Sequence, residues 1–366
     1  MRRTQPSDRI RLTKICQNGI IKCHKEREFP MDQTKWKRVF SIFAAVVLII
    51  AFGCGKAAAA GTTLEDAPNE TVATGSESDG IDSDSEPSSY IGSYNVDETT
   101  DEATGGSFLS GAADENAILV QNAGAFTVSG ADIQKTGDAQ NGFSGGTNAA
   151  VAAVSKGQIK LTGSRVTTDA LGGFGLIASG EGSSLSAENG DVSTAGESSP
   201  AIVAANGGTV VFSGGTLSTE GTDSPCVLLE GGSVSFKGVS LSAASGELLR
   251  VLSGANALTL DNTGMTANPI IGEGSTLKLT LLNGAAFSGE LGNEPPAKVS
   301  ISLDAVSTLT LAADTYLVAL VNADTAHQNI QSNGYSLYYD SNAPENAYLN
   351  SQSYALPGGG YLTPMI

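Results

Sequence analysis

The sequence predicts an all-β fold: a single-stranded, right-handed parallel β-helix with a C-terminal cap and a disordered acidic N-terminal tether. The main evidence is residues 200–225, where three short pieces of alternating or β-branched residues are separated by glycines. These pieces, residues 201–204, 209–213 and 216–219, are too short for helices and suit strands. The glycines between them tolerate the positive φ of tight corners. One such unit cannot bury its own apolar face, whereas a stack of copies can.

The unit recurs along the chain with a period of about 25 residues, and a period in this range with three strands and glycine corners indicates a solenoid. Gly157, Gly182 and Gly207 mark three equally spaced copies. Helical repeats need apolar residues at helical spacing, and here a spacing of two dominates. The sequence therefore predicts about seven or eight turns between Phe108 and Leu320, with strands stacked about 4.8 Å apart.

Alternation along each piece separates an inner from an outer face. Val210, Phe212, Val234 and Phe236 share one column of the repeat and are expected inside, while Ser, Thr, Lys and Asp alternate with them outside. Cys226 also lies at an apolar position of a turn. It is expected to be a small core residue, because the folded part of the chain offers it no disulfide partner.

The N-terminal residues have the organisation of an export signal. Residues 1–30 precede a second methionine, Met31, and are interpreted as an over-extended start. Residues 31–54 then contain a basic segment, a mostly apolar run from 39 to 53, and Cys54. This run is short for a membrane span. The residues before Cys54 resemble a bacterial lipobox, which predicts lipidation of this cysteine; cleavage after Ala60 is the alternative.

Residues 55–104 are expected to form a disordered acidic linker. Between residues 61 and 102 there are twelve acidic residues and no lysine or arginine, a composition that repels itself and buries no core. The β-helix is predicted over residues 105–332. The tyrosine-rich residues 333–366 are predicted to cap its open end, where bare strands would template aggregation. A stacking platform for sugar rings is the alternative interpretation of these tyrosines.

Charge argues against nucleic acid as a partner. The chain has a net charge of −18, and from residue 55 onward 34 acidic residues stand against 9 basic ones. A surface of this sign has little with which to neutralise phosphates.

Short segments of the turns and the tail carry a family resemblance. They include residues 113–117 (Ala-Asp-Glu-Asn-Ala), residues 133–138 (Ile-Gln-Lys-Thr-Gly-Asp), the Ser-Pro pairs at 199 and 224, and residues 356–363 (Leu-Pro-Gly-Gly-Gly-Tyr-Leu-Thr). With these segments, residues 105–366 resemble bacterial extracellular adhesin-like β-helix proteins, within the pectin-lyase-like superfold. The resemblance implies the fold and export. It brings no settled activity and no site residues.

The sequence predicts no catalytic, cofactor-binding or metal-binding residues. A glycoside hydrolase needs two or three carboxylates that converge on the scissile bond. Lys160 and Arg165 belong to one turn and suit a uronate, although isolated solvated charges explain them equally well; His327 lies in a polar turn and is expected at the surface. Calcium stays an open alternative without a supporting motif. The acidic residues of the turns are spread rather than clustered: Asp132, Asp169, Glu181, Glu188, Asp191, Glu197, Glu220, Asp223 and Glu230.

The expected function is non-catalytic contact by an exported, surface-anchored adhesin-like protein. Its expected partners are cell-surface or polysaccharide ligands, together with the membrane through a lipid on Cys54 at the bacterial cell surface. The alternatives are a carbohydrate-binding module and a polysaccharide lyase or hydrolase. A row of exposed aromatic residues on one sheet face would favour the carbohydrate-binding module, but Phe126, Phe212 and Phe236 are expected to point inward.

Overall fold

The computed structural model describes residues 89–140, 146–292, 295–296 and 298–365. The predicted start segment, the export signal with Cys54, and the predicted linker up to residue 88 lie outside the described residues. The described part of the chain forms a parallel β-helix of about 11 turns. No helix in this part is long and apolar enough to cross a membrane.

A full turn contains three strands, and the first strand of each turn belongs to a seven-stranded parallel sheet, here called sheet one. It contains β1 (Gly92–Asp97), β4 (Asn116–Gln121), β7 (Ala149–Val154), β10 (Phe174–Ser179), β12 (Ile202–Ala205), β14 (Val227–Glu230) and β17 (Leu249–Ser253). Sheet one ends at β17, and from there to residue 331 the described residues form strands on the other two sides only.

Sheet two runs the length of the described β-helix, since each of its strands pairs in parallel with the strand one turn later. It contains β2 (Thr100–Thr104), β5 (Ala125–Ser129), β8 (Gln158–Thr162), β11 (Ser184–Thr194), β13 (Thr209–Thr219), β15 (Ser233–Lys237), β18 (Ala255–Asp261), β20 (Thr276–Leu282), β22 (Val299–Leu303), β24 (Thr315–Asn322), β26 (Leu337–Tyr339) and β28 (Tyr361–Pro364).

Sheet three forms the third side, and the long strands β11 and β13 bend from sheet two into it. Its other strands in the first half are β3 (Ser107–Ser110), β6 (Asp132–Lys135), β9 (Arg165–Thr168) and β16 (Ser240–Ala243). In the second half this side is a separate four-stranded sheet of β19 (Gly264–Thr266), β21 (Ala286–Gly289), β23 (Thr308–Leu311) and β25 (Ile330–Gln331).

The register places like residues over like residues in the core. Val210 pairs with Val234 and Phe212 pairs with Phe236, one turn apart. All four side chains are buried, as is Cys226. The inward column predicted from the repeat is therefore confirmed, and the alternation on sheet two fixes which side of each strand is dry.

Sheet one is apolar on both faces, unlike the alternating strands of sheet two. Leu119, Ala152, Ile177, Val203 and Leu228 follow one another in register on its outer face. They are as well buried as the inner core, and form a second apolar cluster. Strands that read as continuous apolar runs are typical of parallel sheets covered on both faces.

Several corner glycines have the expected positive φ, whereas Gly208 and Gly221 do not. At the corner between sheets two and three, Gly130 and Gly163 have φ of 65° and 57°, and Asn189 takes the same left-handed conformation at 53°. Each glycine N–H donates to a carbonyl of the next turn, from Gly130 to Thr162 and from Gly163 to Glu188. The corners therefore contribute to the hydrogen bonding between turns.

The β-helix begins earlier than the sequence predicts. Its first turn starts at Gly92, so the boundary between linker and β-helix at 104/105 is wrong for residues 92–104. Strand β2 pairs in parallel with β5, although apart from Ala103 its residues are exposed. A terminal turn stacks on one neighbour only, so it needs few apolar residues, and its composition resembles that of a linker.

The β-helix also continues into the predicted cap. Strands β26 and β28 stack in parallel on β24 and β26, so the cap does not begin at residue 333. The end is closed by β27 (Tyr354–Ala355), which pairs antiparallel with β28, and by a 3₁₀ helix, Pro344–Leu349. In this helix the buried Asn346 Oδ1 accepts a hydrogen bond from Leu320 N at 2.8 Å. The extra turns at both ends raise the number of turns above the predicted seven or eight.

Candidate ligand-binding surface

Most carboxylates of the described residues lie apart from one another on the outer faces, and Asp223 and Glu247, which share Arg250, are an exception described below. Within this part of the chain no three His, Cys, Asp or Glu side chains come together as metal ligands. Glu188 forms an ion pair with Lys160 at 3.7 Å, with both side chains about half exposed. Asp191 accepts a hydrogen bond from the Thr216 hydroxyl at 2.6 Å. These acidic groups contact single polar neighbours, as surface charges do.

Lys160 and Arg165 do not share a face. Lys160 lies on β8 of sheet two, and Arg165 lies on β9 of sheet three, beyond the corner at Gly163. The side chain of Arg165 is exposed, and its register neighbours one turn away are Asp132 and Asp191. The two cations suggested for a uronate therefore belong to separate surfaces.

The expectation that His327 lies at the surface is wrong. Its side chain is only 2 % exposed, and Asn322 Nδ2 lies 3.3 Å from its Nδ1. Burial lowers the pKa of His327, and Asp324 opposes this effect. The polar turn folds inward because His327 takes a φ of 56° and the Asp324 carboxylate accepts hydrogen bonds from three backbone N–H groups. These polar residues form hydrogen bonds within the turn. The pattern of polar residues in the sequence does not show that they are buried there.

A pair of stacked tyrosines lies on the outer face of sheet two. Tyr316 and Tyr338 are register partners on β24 and β26, with ring centroids 4.8 Å apart and planes inclined by 11°. Both side chains are half-buried, and Thr363 is the next residue of this column. The pair presents apolar ring surface and phenolic hydroxyls on one face, a combination suited to ligands with both apolar and polar edges.

Sequence reasoning missed this pair because it assigned the two residues to different domains. Tyr316 fell in the predicted β-helix and Tyr338 in the predicted cap. The signal was nonetheless in the sequence, because each tyrosine precedes a buried residue, Leu317 or Tyr339, at the same point of its strand. An alignment of β24 with β26 identifies the pair.

A groove lies at the step where sheet one ends. Its volume is about 590 Å³, and Asp223, Glu247, Arg250, Leu252 and Ile270 are among the residues that line it. The chain beyond β17 makes only a single parallel bridge, between Val251 and Ile271, in place of a further strand. Ile270 is 72 % exposed at the edge of this groove. The loss of one strand per turn thus creates a concave surface with an apolar wall.

Ion pairs hold the polar groups of the groove, one within a turn and one between neighbouring turns. Arg250 donates to Glu247 Oε1 at 2.7 Å and to Asp223 Oδ1 at 2.6 Å. The hydrogen bond with Glu247 is the main cause that raises the pKa of Arg250 above its ordinary value. A charged cluster beside apolar side chains is the composition of many small-molecule sites. The sequence offered only a weak signal, because Asp223 and Arg250 are far apart along the chain.

Neither a family model, nor a curated protein, nor a solved structure matches this chain. The parallel β-helix is therefore established by the register of its strands, and fold alone does not decide function.

Proposed function

We propose that this protein is an exported, surface-anchored, adhesin-like β-helix that contacts cell-surface or polysaccharide ligands without chemical turnover. The observation that carries the proposal is the repetition of short polar side chains on the outer face of sheet two. Ser184, Thr209 and Ser233 follow one another in register over three turns. Such a column offers similar weak contacts about every 4.8 Å.

Anchoring multiplies contacts of this kind. Individual contacts with a shallow repetitive face are weak, and many copies on one surface convert them into high avidity. We place the anchor at Cys54 through a lipid, which leaves the β-helix outside the bacterial cell. Replacement of this residue, Cys54→Ser, should move the protein from the membrane fraction to the soluble fraction.

The partners of the carboxylates favour contact over hydrolysis. Glycosidases place their two carboxylates about 5–10 Å apart across the scissile bond. Two acidic residues of one turn, Glu188 and Asp191, instead engage Lys160 and Thr216 on separate sheets. The close pair Asp223 and Glu247 is bound by Arg250. A relationship to the pectin-lyase-like superfold is part of this proposal at the level of architecture, without its lyase or hydrolase chemistry.

The test compares beads that carry many copies of the protein with the free protein. Beads should adhere to polysaccharide-coated surfaces in proportion to the density of copies, while the free protein should bind weakly and produce no unsaturated or reducing ends from polygalacturonate. Heat-denatured protein on the same beads is the control. Product formation above this control, removed by Glu188→Gln or Asp191→Asn, would contradict the proposal.

A carbohydrate-binding module is the second candidate, and the stacked tyrosines favour it. Tyr316 and Tyr338 form an aromatic surface on the outer face, next to the hydroxyl-bearing Thr363. A glycan array should then report binding that Tyr338→Ala weakens about fivefold to tenfold, the equivalent of roughly 1 kcal/mol. Tyr335→Ala, at an exposed turn tyrosine, is the matched control. Equal binding by both variants would remove this candidate.

A further inference from the structure

Successive turns close the corner between sheets three and one with the same side-chain contact. The hydroxyl of Thr194 donates to the carbonyl oxygen of Ser199 at 2.5 Å, and Thr219 donates to Ser224 at 2.7 Å one turn later. All four residues are buried. In each of these turns the last inward residue of sheet three, Thr194 or Thr219, thus directly faces the residue before the start of sheet one, Ser199 or Ser224.

In the longest turn this facing pair is Lys135 and Asn148. Lys135 is the register partner of Thr168 on β9, and Asn148 precedes Ala149, the partner of Phe174. Both side chains have no exposed surface. Lys135 Nζ and Asn148 Nδ2 donate to the same acceptor, the carbonyl oxygen of Gly137, at 2.5 and 2.9 Å. A buried amine and a buried carboxamide are therefore adjacent where the pairs Thr194–Ser199 and Thr219–Ser224 have hydroxyls.

The hydrogen bonding of this pair is incomplete. Asn148 Oδ1 is buried without a hydrogen-bond partner among the described residues. Lys135 Nζ has a further acceptor in the carbonyl oxygen of Ala112 at 2.6 Å, which leaves one of its three donors. An unpaired buried carbonyl group costs free energy, and its carbon, Cγ, is the electrophilic atom of the side chain.

A carboxylate completes the arrangement from the preceding turn. Glu115 directly precedes Asn116, whose Oδ1 accepts a hydrogen bond at 2.8 Å from the N–H of Ala149, the residue after Asn148. Glu115 and Asn148 are thus equivalent positions of successive turns. Glu115 Oε2 also accepts a hydrogen bond at 2.8 Å from Ser110, the register partner of Lys135. Glu115 therefore lies on the Ser110 side of the pair, close enough for its charge to act on the amine of Lys135.

The environment of Lys135 favours its nucleophilic form. Burial lowers the pKa of the amine, while the charges of Glu115, Asp138 and Asp114 oppose this shift. A lysine becomes a nucleophile when it is neutral, and desolvation promotes that state.

We propose that Lys135 and Asn148 condense to an intramolecular isopeptide bond. The ammonium group of Lys135 passes a proton to the Glu115 carboxylate, and the neutral Nζ attacks Cγ of Asn148. A bond forms between Nζ and Cγ, and the bond between Cγ and Nδ2 breaks. The two protons shed by Nζ leave on the departing nitrogen, which is released as ammonium, and Glu115 returns to its carboxylate form. No oxidant or reductant is required.

Tryptic digestion of the denatured full chain tests the bond directly. Between residues 57 and 156 the only cleavage sites are Lys135 and Lys156. A linked Lys135 resists trypsin, so residues 136–156 should not appear as a separate peptide. They should remain joined to the preceding peptide, with a combined mass lower by one ammonia than that of the uncleaved sequence. A wild-type digest that releases residues 136–156 in full yield would overturn the proposal.

Variants separate the bond from a simple failure of cleavage. Asn148→Ala should release residues 136–156, and Lys135→Met should leave an uncleaved peptide without the ammonia deficit. Glu115→Gln keeps an acceptor for Ser110 and should slow bond formation at least tenfold after expression. Lys160→Met, at an exposed lysine of the next turn, should leave the linked peptide unchanged. Equal rates of bond formation in the wild type and in Glu115→Gln would overturn the assignment of proton transfer to Glu115.

Discussion

The hydroxyl of Thr219 and the carbonyl oxygen of Ser224 lie 2.7 Å apart and close the corner of their turn with a hydrogen bond. Ser224 also joins neighbouring turns. Its Oγ donates to the carbonyl oxygen of Gly196 at 3.0 Å and accepts from Ser199 N at 2.9 Å. The corner is therefore stabilised by buried hydrogen bonds within and between turns.

Thr219→Val should destabilise the β-helix by about 1–3 kcal/mol, because it leaves the buried Ser224 carbonyl group without this donor. Valine matches threonine in shape, so the packing is retained. Urea unfolding followed by circular dichroism measures the effect. Thr209→Val, at an outward position, is the control and should change stability little. Equal unfolding midpoints for both variants would contradict the role assigned to the corner.

Phe212→Ala should cost about 3–5 kcal/mol, as is typical when a large buried side chain leaves a cavity. Phe212 has no exposed surface, and its register partner Phe236 would lose its neighbour. Val211→Ala is the control on the outward face of the same strand, where the side chain is 41 % exposed. Thermal unfolding of both variants measures the difference, and a similar loss in each would show that the inner column is not the core.

Two glycines should respond differently to alanine. A Cβ on Gly221 would lie 1.7 Å from the carbonyl oxygen of Gly196 in the preceding turn, so the backbones must separate. Gly238 has a φ of 62° and open space around it, so alanine there costs only about 1–2 kcal/mol of conformational strain. Gly221→Ala should therefore lower the unfolding temperature more than Gly238→Ala. The opposite order would mean that the turns are less closely stacked.

Stability should fall below pH 6.5 partly because of His327. Burial lowers the folded-state pKa of His327, whereas the unfolded chain binds a proton near pH 6.5. The unfolded state therefore takes up a proton first as the pH falls, and stability that is present above pH 6.5 is lost toward the lower folded-state pKa. Urea midpoints at pH 7.5 and 5.5 should differ more for the wild type than for His327→Gln. Parallel pH profiles would contradict this.

The residues that the sequence alone determined are those that repeat. Alternation with a period of two assigns Val210 and Phe212 to the inside, and the regular repeat length places Val234 and Phe236 over them. The corner glycines follow from the same repeat, since a tight corner needs positive φ or a close approach of two backbones. The parallel β-helix and its inner column were predictable because every turn must bury one face of each strand and close its corners in the same way.

Only the tertiary structure decided where the chain departs from the repeat. The strands of the first turn, the buried side chain of His327, and the pairs Tyr316–Tyr338 and Lys135–Asn148 could not be read from the period. The turns shorten from the long one that contains Lys135 to the one that reaches Leu320 and then lengthen again, and the register shifts at a bulge between Val299 and Ser300. Contacts one turn apart depend on these local lengths, and an end turn is buried on one side only. For that physical reason the sequence alone determined that the turns stack in parallel, and only the folded chain determined which side chains of neighbouring turns are in contact.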